Sequence, residues 1–462
     1  MGLDAVLKAI DAAQPEALER LFALLRIESI STDPAYAGAC RAAADWLVAD
    51  LAGIGFRAER RDTPGHPMVV AHGGHGAGPH LLFYGHYDVQ PVDPLELWTR
   101  PPFEPAIADT PRGPAIFGRG TSDDKGQLMT FVEAVRAWKA ATGRIPGRLT
   151  ILLEGEEESS SPSLVPFLET NAEELRAELA LVCDTGMLTP EIPAISTMLR
   201  GIVGEELTIQ AADVDLHSGA FGGPAINPIR VLARILAGLH DDRGRITLPG
   251  FYDGVPELPS AIRAQWEALD YDSGAMLRDV GLSQPAGEAG RTILEQVWSR
   301  PSCDVNGIWG GYTGVGFKTV LPAETHAKVS FRLVGDQNPA RVVESFRAYV
   351  RAALPPDCSV RFGTREAAGS RATVLPSDGP ALAAARQALS DEWPKPAVFI
   401  GCGGSIPIVS HFRRILGMDS LLVGFGLDDD NIHSPNEKYD LASFHKGTRS
   451  WARILAALTA PA

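Results

Sequence analysis

LTILLEGEEES, residues 149 to 159, reads as a buried strand running straight into an acidic turn: five apolar or β-branched residues, then Glu154, a glycine and the triplet Glu156, Glu157 and Glu158. Like charges crowded at a strand end raise one another's pKa. A cation relieves that repulsion and leaves a spare carboxylate to act as a base, while a solvated acidic loop answers to the same letters.

Upstream of this stretch a helical pattern sets Leu128, Phe131, Val132, Val135 and Trp138 on one face, and downstream Leu179 to Cys183 forms another strand-like run. Such alternation predicts an α/β fold whose central mixed sheet is covered by helices. The texture returns near the C-terminus: a helix from Pro380, strands at Val398 to Ile400 and Leu421 to Phe425, and a final helix from Ser443. Toward the N-terminus, Leu3 to Leu25 reads as a helix or helix pair and Ala42 to Leu51 as another helical stretch. The runs Met68 to Ala71 and Leu81 to Tyr84, separated by HGGHGAGPH, predict a hairpin. Between 199 and 372 the stretches ELTIQAADVDLHSG and THAKVSFRLV alternate and flank helical patterns at Ile229 to Leu239 and Val342 to Leu354. An inserted α+β domain at 199–372 therefore interrupts a discontinuous domain made of 1–198 and 373–462.

A chain of 462 residues is long enough for two cores. Its net charge of −15 repels phosphate backbones and anionic membrane surfaces, so neither nucleic acid nor a membrane is an expected partner. No run of about 18 apolar residues reads as a span. The five scattered cysteines lack the close spacing of a zinc ribbon or a disulfide scaffold, and the start MGLDAVLKAIDAA lacks the features of a signal peptide. These features predict a cytoplasmic protein.

Five segments gather His, Asp and Glu after strand-like runs or glycine turns: LLFYGHYDV at 81–89, GRGTSDDKG at 118–126, ILLEGEEES at 151–159, LVCDTG at 181–186 and DNIHSPNEK at 430–438. In an open α/β sheet this places them along the carboxyl ends of the strands. Alternation sends His86 and Asp88 to one side, so that the carboxylate can bond one ring nitrogen while the other binds a metal. Asp123 and Asp124 precede a helix and could equally cap it. Asp184 leaves an apolar strand and His433 sits in a polar loop; each, taken singly, has an ordinary structural reading. Jointly, His86, Asp123, Glu158, Asp184 and His433 would give each of two divalent ions two terminal ligands and one shared carboxylate, a set suited to Zn²⁺, and also to Mn²⁺ or Co²⁺.

In this order the five segments resemble the co-catalytic metallopeptidase family of glutamate carboxypeptidase, aminoacylase and acetylornithine deacetylase. WTRPPFEP at 98–105, DLHSGAFGG at 215–223, GFKTVLP at 316–322, FRLV at 331–334, GGSIP at 403–407 and IHSPNEK are similar to its cytosolic dipeptidase and carnosinase branch. The resemblance implies that Asp123 bridges two metals, with His86 and Asp184 on one and Glu158 and His433 on the other. It makes Glu157 the general base, Asp88 the orienter of His86 and Glu156 a bystander, and implies a cis peptide between Asp123 and Asp124. The inserted domain becomes a lid and dimerisation domain, whose His217 stabilises the oxyanion in a partner subunit's site, while Arg332, Thr319 and Ser405 hold the substrate's carboxylate. The activity implied is hydrolysis of dipeptides or short peptides near a free C-terminal carboxylate, with N-acyl amino acids as the alternative substrates. One departure bears on that alternative: Gly401 and Cys402 stand where the branch commonly shows a charged Arg-Glu pair. A metal-free scaffold is disfavoured because every position carries a competent residue, and a serine hydrolase because no GxSxG elbow occurs.

Overall fold

The strand Arg148–Glu154, whose last six residues are all buried, has neighbours on both sides. It pairs antiparallel with Met68–Gly73 and parallel with His80–His86. The computed structural model, which describes residues 2–75, 78–269, 271–363, 369–376 and 378–459, builds from this pair a mixed sheet. Its spatial order runs Arg57–Arg61, Met68–Gly73, Arg148–Glu154, His80–His86, Leu179–Val182, Asp419–Leu422, Ala194–Leu199. The expected hairpin between Met68–Ala71 and Leu81–Tyr84 is not formed: Arg148–Glu154 lies between the two strands, and Met68–Gly73 pairs instead with Arg57–Arg61. Two fully buried apolar strands gain more by sharing a third such strand than by pairing with each other at one edge.

Helices cover the sheet. Leu3–Ala12 and Gln14–Leu25 form the N-terminal pair, and Ala37–Ile54, Lys125–Thr142 and Leu441–Thr459 complete the layers. Phe131 of Lys125–Thr142 stacks on Phe83 of the sheet with centroids 3.8 Å apart, and Trp451 of the last helix meets both rings edge-on. Such pairs add about 0.5–1.5 kcal/mol each beyond the area they bury. Gly143, at φ +76°, ends Lys125–Thr142 in the left-handed conformation that a side chain resists. These elements belong to a first compact unit of Met1–Thr197, Leu375–Ile400 and His411–Ala462.

The second unit comprises Met198–Val374 and also Gly401–Ser410, a segment that the expected division left in 373–462. Its four-stranded antiparallel sheet runs Ser302–Gly310, Glu324–Leu333, Gly201–Gln210, Ser359–Phe362. Alternation along Glu324–Leu333 turns Ala327, Val329, Phe331 and Leu333 to the core, which leaves Lys328, Ser330 and Arg332 on the other face. The helices Pro228–Ala237 and Pro339–Ala353 contribute Leu232, Ile235, Val343 and Phe346 to that core. Each starts in the same way, with an asparagine side chain (Asn227, Asn338) accepting a backbone N–H and proline in the first turn. Among the described residues no helix is long and apolar enough to cross a membrane.

Candidate metal centre

Four neighbouring strands of the first unit run parallel: Arg148–Glu154, His80–His86, Leu179–Val182 and Asp419–Leu422. Their carboxyl ends therefore share one edge of the sheet, and His86, the turn with Glu157 and Glu158, Asp184 and the loop bearing His433 follow from those ends. Asp123, in the loop before Lys125–Thr142, completes the group. Each of its two oxygens meets an imidazole, His86 Nε2 at 3.0 Å on one and His433 Nε2 at 2.9 Å on the other. His433 Nε2 also lies 3.1 Å from Glu158. Two donor sets result, His86–Asp123–Asp184 and Asp123–Glu158–His433, each with its ligand atoms within 4.8 Å of one another. His433 reaches this position with φ +61°, a left-handed backbone that a residue with a side chain holds at a cost of about 1 kcal/mol or more.

Electrostatics fit a cation. Burial, reinforced by the neighbouring carboxylates, pushes Asp184 well above the usual carboxylate range, raises Glu158 and lifts Glu157 to about 8. The carboxylates of Asp123 and Glu158 in turn hold His433 up at about 10. Burial disfavours charge on His86, yet Asp123 and Asp88 keep its imidazole well above the ordinary value. The histidines thus stand in as counter-charges for an excess of buried carboxylates, and an N and O donor set of this kind suits divalent ions. No described residue donates a hydrogen bond to the Glu157 carboxylate, which leaves it open to a water or a substrate.

Supporting contacts differ in part from expectation. His86 Nδ1 lies 3.1 Å from the Asp88 carbonyl oxygen and 3.4 Å from its carboxylate, so the main chain makes the closer contact. The Asp88 carboxylate instead accepts from the backbone N–H groups of Glu157 and Glu158, at 3.2 and 3.0 Å, and fastens the acidic turn to the strand that bears His86. Asp124 does not cap its helix; its carboxylate accepts from His86 N at 3.1 Å. The Asp123–Asp124 peptide is cis. Glu156 is more than a bystander to the fold, since its buried carboxylate accepts from His66 N and Ser163 N and ties two loops together.

Sequence reasoning gave no role to Glu437, although it lies in the quoted IHSPNEK. Its fully buried carboxylate accepts from Arg119 Nη1, Gly120 N, Ser122 N and Asp123 N at 2.8 to 3.1 Å, and so fixes the loop that presents Asp123. Gln90 was missed as well; its amide donates to Glu158 at 2.8 Å. No signal in the sequence points to Glu437, because the four donors that converge on it lie more than three hundred residues away along the chain.

The remaining predicted residues belong to the second unit. His217 pairs with Val320 on a two-residue ladder, beside which Ser218 N donates to Thr319 O at 3.0 Å; the His217 ring is exposed and its Nδ1 accepts from Gly219 N. Arg332 Nη1 donates to Ser405 Oγ at 3.1 Å.

Residues 82–457 match peptidase family M20/M25/M40. The chain is 30% identical to the Cys-Gly metallodipeptidase dug1 of Schizosaccharomyces pombe, over 97% of each sequence. Among solved structures it is similar to human carnosine dipeptidase 1, with TM-score 0.86, 26% identity and coverage of 99% and 98% of the two chains. It is also similar to the M20 family metallo-carboxypeptidase Sso-CP2 of Sulfolobus solfataricus, with TM-score 0.84, 28% identity and coverage of 96% and 99%. The chain is an enzyme and belongs to peptidase family M20/M25/M40.

Proposed function

We propose that this enzyme hydrolyses the amide bond of dipeptides and short peptides ending in a free carboxylate. The observation that carries the proposal is Asp123 set between His86 and His433, which makes one carboxylate common to two donor sets. His86 and Asp184 would hold one divalent ion and Glu158 and His433 the other, with Zn²⁺ favoured and Mn²⁺ or Co²⁺ compatible. Ions so held would supply Lewis acidity, polarising the scissile carbonyl and lowering the pKa of a water.

Glu157 takes the proton of the attacking water and hands it to the leaving amine. Burial and neighbouring charge raise its affinity for a proton, as suits a group that must accept and then release one. Asp88 keeps the His86 ring and the Glu157–Glu158 turn in register with each other. Arg332, Ser405 and Thr319 hold the substrate carboxylate, a task for which the guanidinium fork is shaped. The expected result is release of free amino acids from dipeptides by enzyme loaded with Zn²⁺ or Mn²⁺. Turnover of N-acyl amino acids with dipeptides left intact would replace this reading by a deacylase. The footing of that second reading is Cys402, which stands where the branch commonly carries the acid of the pair; at Gly401 a Cβ would stand 2.4 Å from Trp298 Cβ, so the other charged side chain of the pair does not fit either.

The working form is a cytoplasmic homodimer, in which His217 reaches the second copy's site and stabilises the oxyanion of its substrate. Support comes from the edge strand Ser302–Gly310, which exposes Val305, Ile308 and Trp309, and from the exposed Tyr312, Val315 and Phe317 that follow it. An open apolar edge of this kind invites a partner strand. None of the five cysteines forms a disulfide, which accords with a reducing compartment. Sedimentation of the wild type at twice the chain mass, and of Val305→Asp at the chain mass, is the expected outcome; a wild-type monomer that turns over at full rate argues against the shared site.

A further inference from the structure

Arg200 has no place in the reading above, yet it sits where the second unit gathers its polar groups. Its backbone N–H donates to Gly404 O at 3.2 Å, its Nε donates to Gly403 O at 2.9 Å, and its carbonyl accepts from Ser405 Oγ at 2.6 Å. Three consecutive residues of one loop are thus bonded to a single arginine. From the opposite side Nη1 donates to the carbonyls of Gln296 and Arg300, both at 3.4 Å, where the helix Ile293–Trp298 ends. Ser405 is then held by Arg200 while it accepts from Arg332 Nη1.

The charge is also unbalanced. Among the described residues neither Arg200 nor Arg332 forms an ion pair with a carboxylate; Asp304 is near enough to be felt by Arg200, not to pair with it. Burial and the positive charge of Arg332 pull the Arg200 guanidinium down to about 10. Guanidiniums that bind only carbonyls and a hydroxyl leave their field for an incoming anion.

The packing explains why the loop is built of small residues. A Cβ on Gly403 would come within 3.0 Å of Val297 and 3.2 Å of Arg200 Nη2, and Gly401 is closed off by Trp298, itself backed edge-on by Trp266. The loop can lie this close to the helix only without side chains, and that closeness brings Gly403 O within reach of Arg200.

We propose that Arg200 is a positioning residue for the substrate-carboxylate subsite: by fixing Gly403–Ser405 it sets Ser405 Oγ against Arg332 and adds an unpaired positive charge behind them. The inference rests on the assignment of Arg332 and Ser405 to the substrate carboxylate. It is tested with alanylalanine and its C-terminal amide, on metal-loaded wild type, Arg200→Lys, Arg200→Gln and Arg332→Ala. For alanylalanine, Arg200→Gln is expected to raise KM on the order of ten-fold with kcat within about two-fold, because an interaction made equally in ground and transition states is lost. Arg200→Lys should recover little of this, since an ammonium cannot span Gly403 O and the carbonyls of Gln296 and Arg300. The amide should show the same KM in wild type and both Arg200 variants.

Equal shifts for acid and amide, or full rescue by lysine, would overturn the positioning role. A wild type that does not distinguish acid from amide, or an Arg332→Ala enzyme with unchanged KM, overturns the subsite itself and the inference with it. Should Arg200→Gln fail to fold, coupling of Arg200→Lys to Ser405→Ala decides: strictly additive effects on KM count against the proposal, and a double variant no worse than Ser405→Ala alone supports it.

Discussion

Glu157→Gln is expected to lower kcat by about 10²- to 10⁴-fold while leaving both metal sites filled, since a positioned general base contributes on this scale. The amide keeps the volume and polarity of the side chain and removes only its capacity to take a proton. The backbone of Glu157 remains bonded to Asp88, so the turn that presents Glu158 should stay in place. Metal analysis of the purified variant should therefore match the wild type, and the KM of a dipeptide should change little. Wild-type turnover in Glu157→Gln would remove the proton-carrying role, and loss of metal would show that Glu157 is itself a ligand.

Asp123→Ala should have the opposite signature: activity lost because metal is lost. Asp123 belongs to both donor sets and touches both histidines, so its removal strips a ligand from each at once. Chelator treatment of the wild type is expected to abolish turnover, and added Zn²⁺ or Mn²⁺ to restore it; neither ion should restore the variant. A thermal measurement gives a second readout. An ion present at 100 times its dissociation constant stabilises the folded state by about 2.7 kcal/mol. The stripped wild type should therefore melt higher on adding metal, and the variant should not respond. A variant that still binds two ions at wild-type affinity would refute the shared carboxylate. Loss of Asp123 also leaves the Glu437 cradle and its four donors intact, so the loop itself should persist.

The residues of the candidate metal centre stood out in the sequence for a physical reason. His86 and Asp184 each end an apolar run and Glu158 lies in the turn that follows another, and parallel strands side by side bring their carboxyl ends together. The hairpin was misread because HGGHGAGPH has the composition of a turn, while the strand that separates its two flanks lies more than sixty residues further along the chain. Local letters report local conformation; pairing between strands far apart in sequence leaves no mark in either of them. Glu437 was hidden differently: a charged residue in a polar loop looks solvated until the fold wraps four donors around it.

By itself, then, the sequence determined the α/β class, the inserted α+β unit and the list of candidate ligands, because periodicity and strand-end acids are properties of short segments. Only the tertiary structure decided the contacts around those candidates: Asp123 between two imidazoles, Asp88 bonded through its carboxylate to the acidic turn, and Glu156 drawn off to fasten loops. It alone also showed why Gly401 carries no side chain and gave Arg200 its neighbours. Each of these depends on contacts between segments tens to hundreds of residues apart, and a hydrogen bond or a steric limit exists only once the chain has folded to make it.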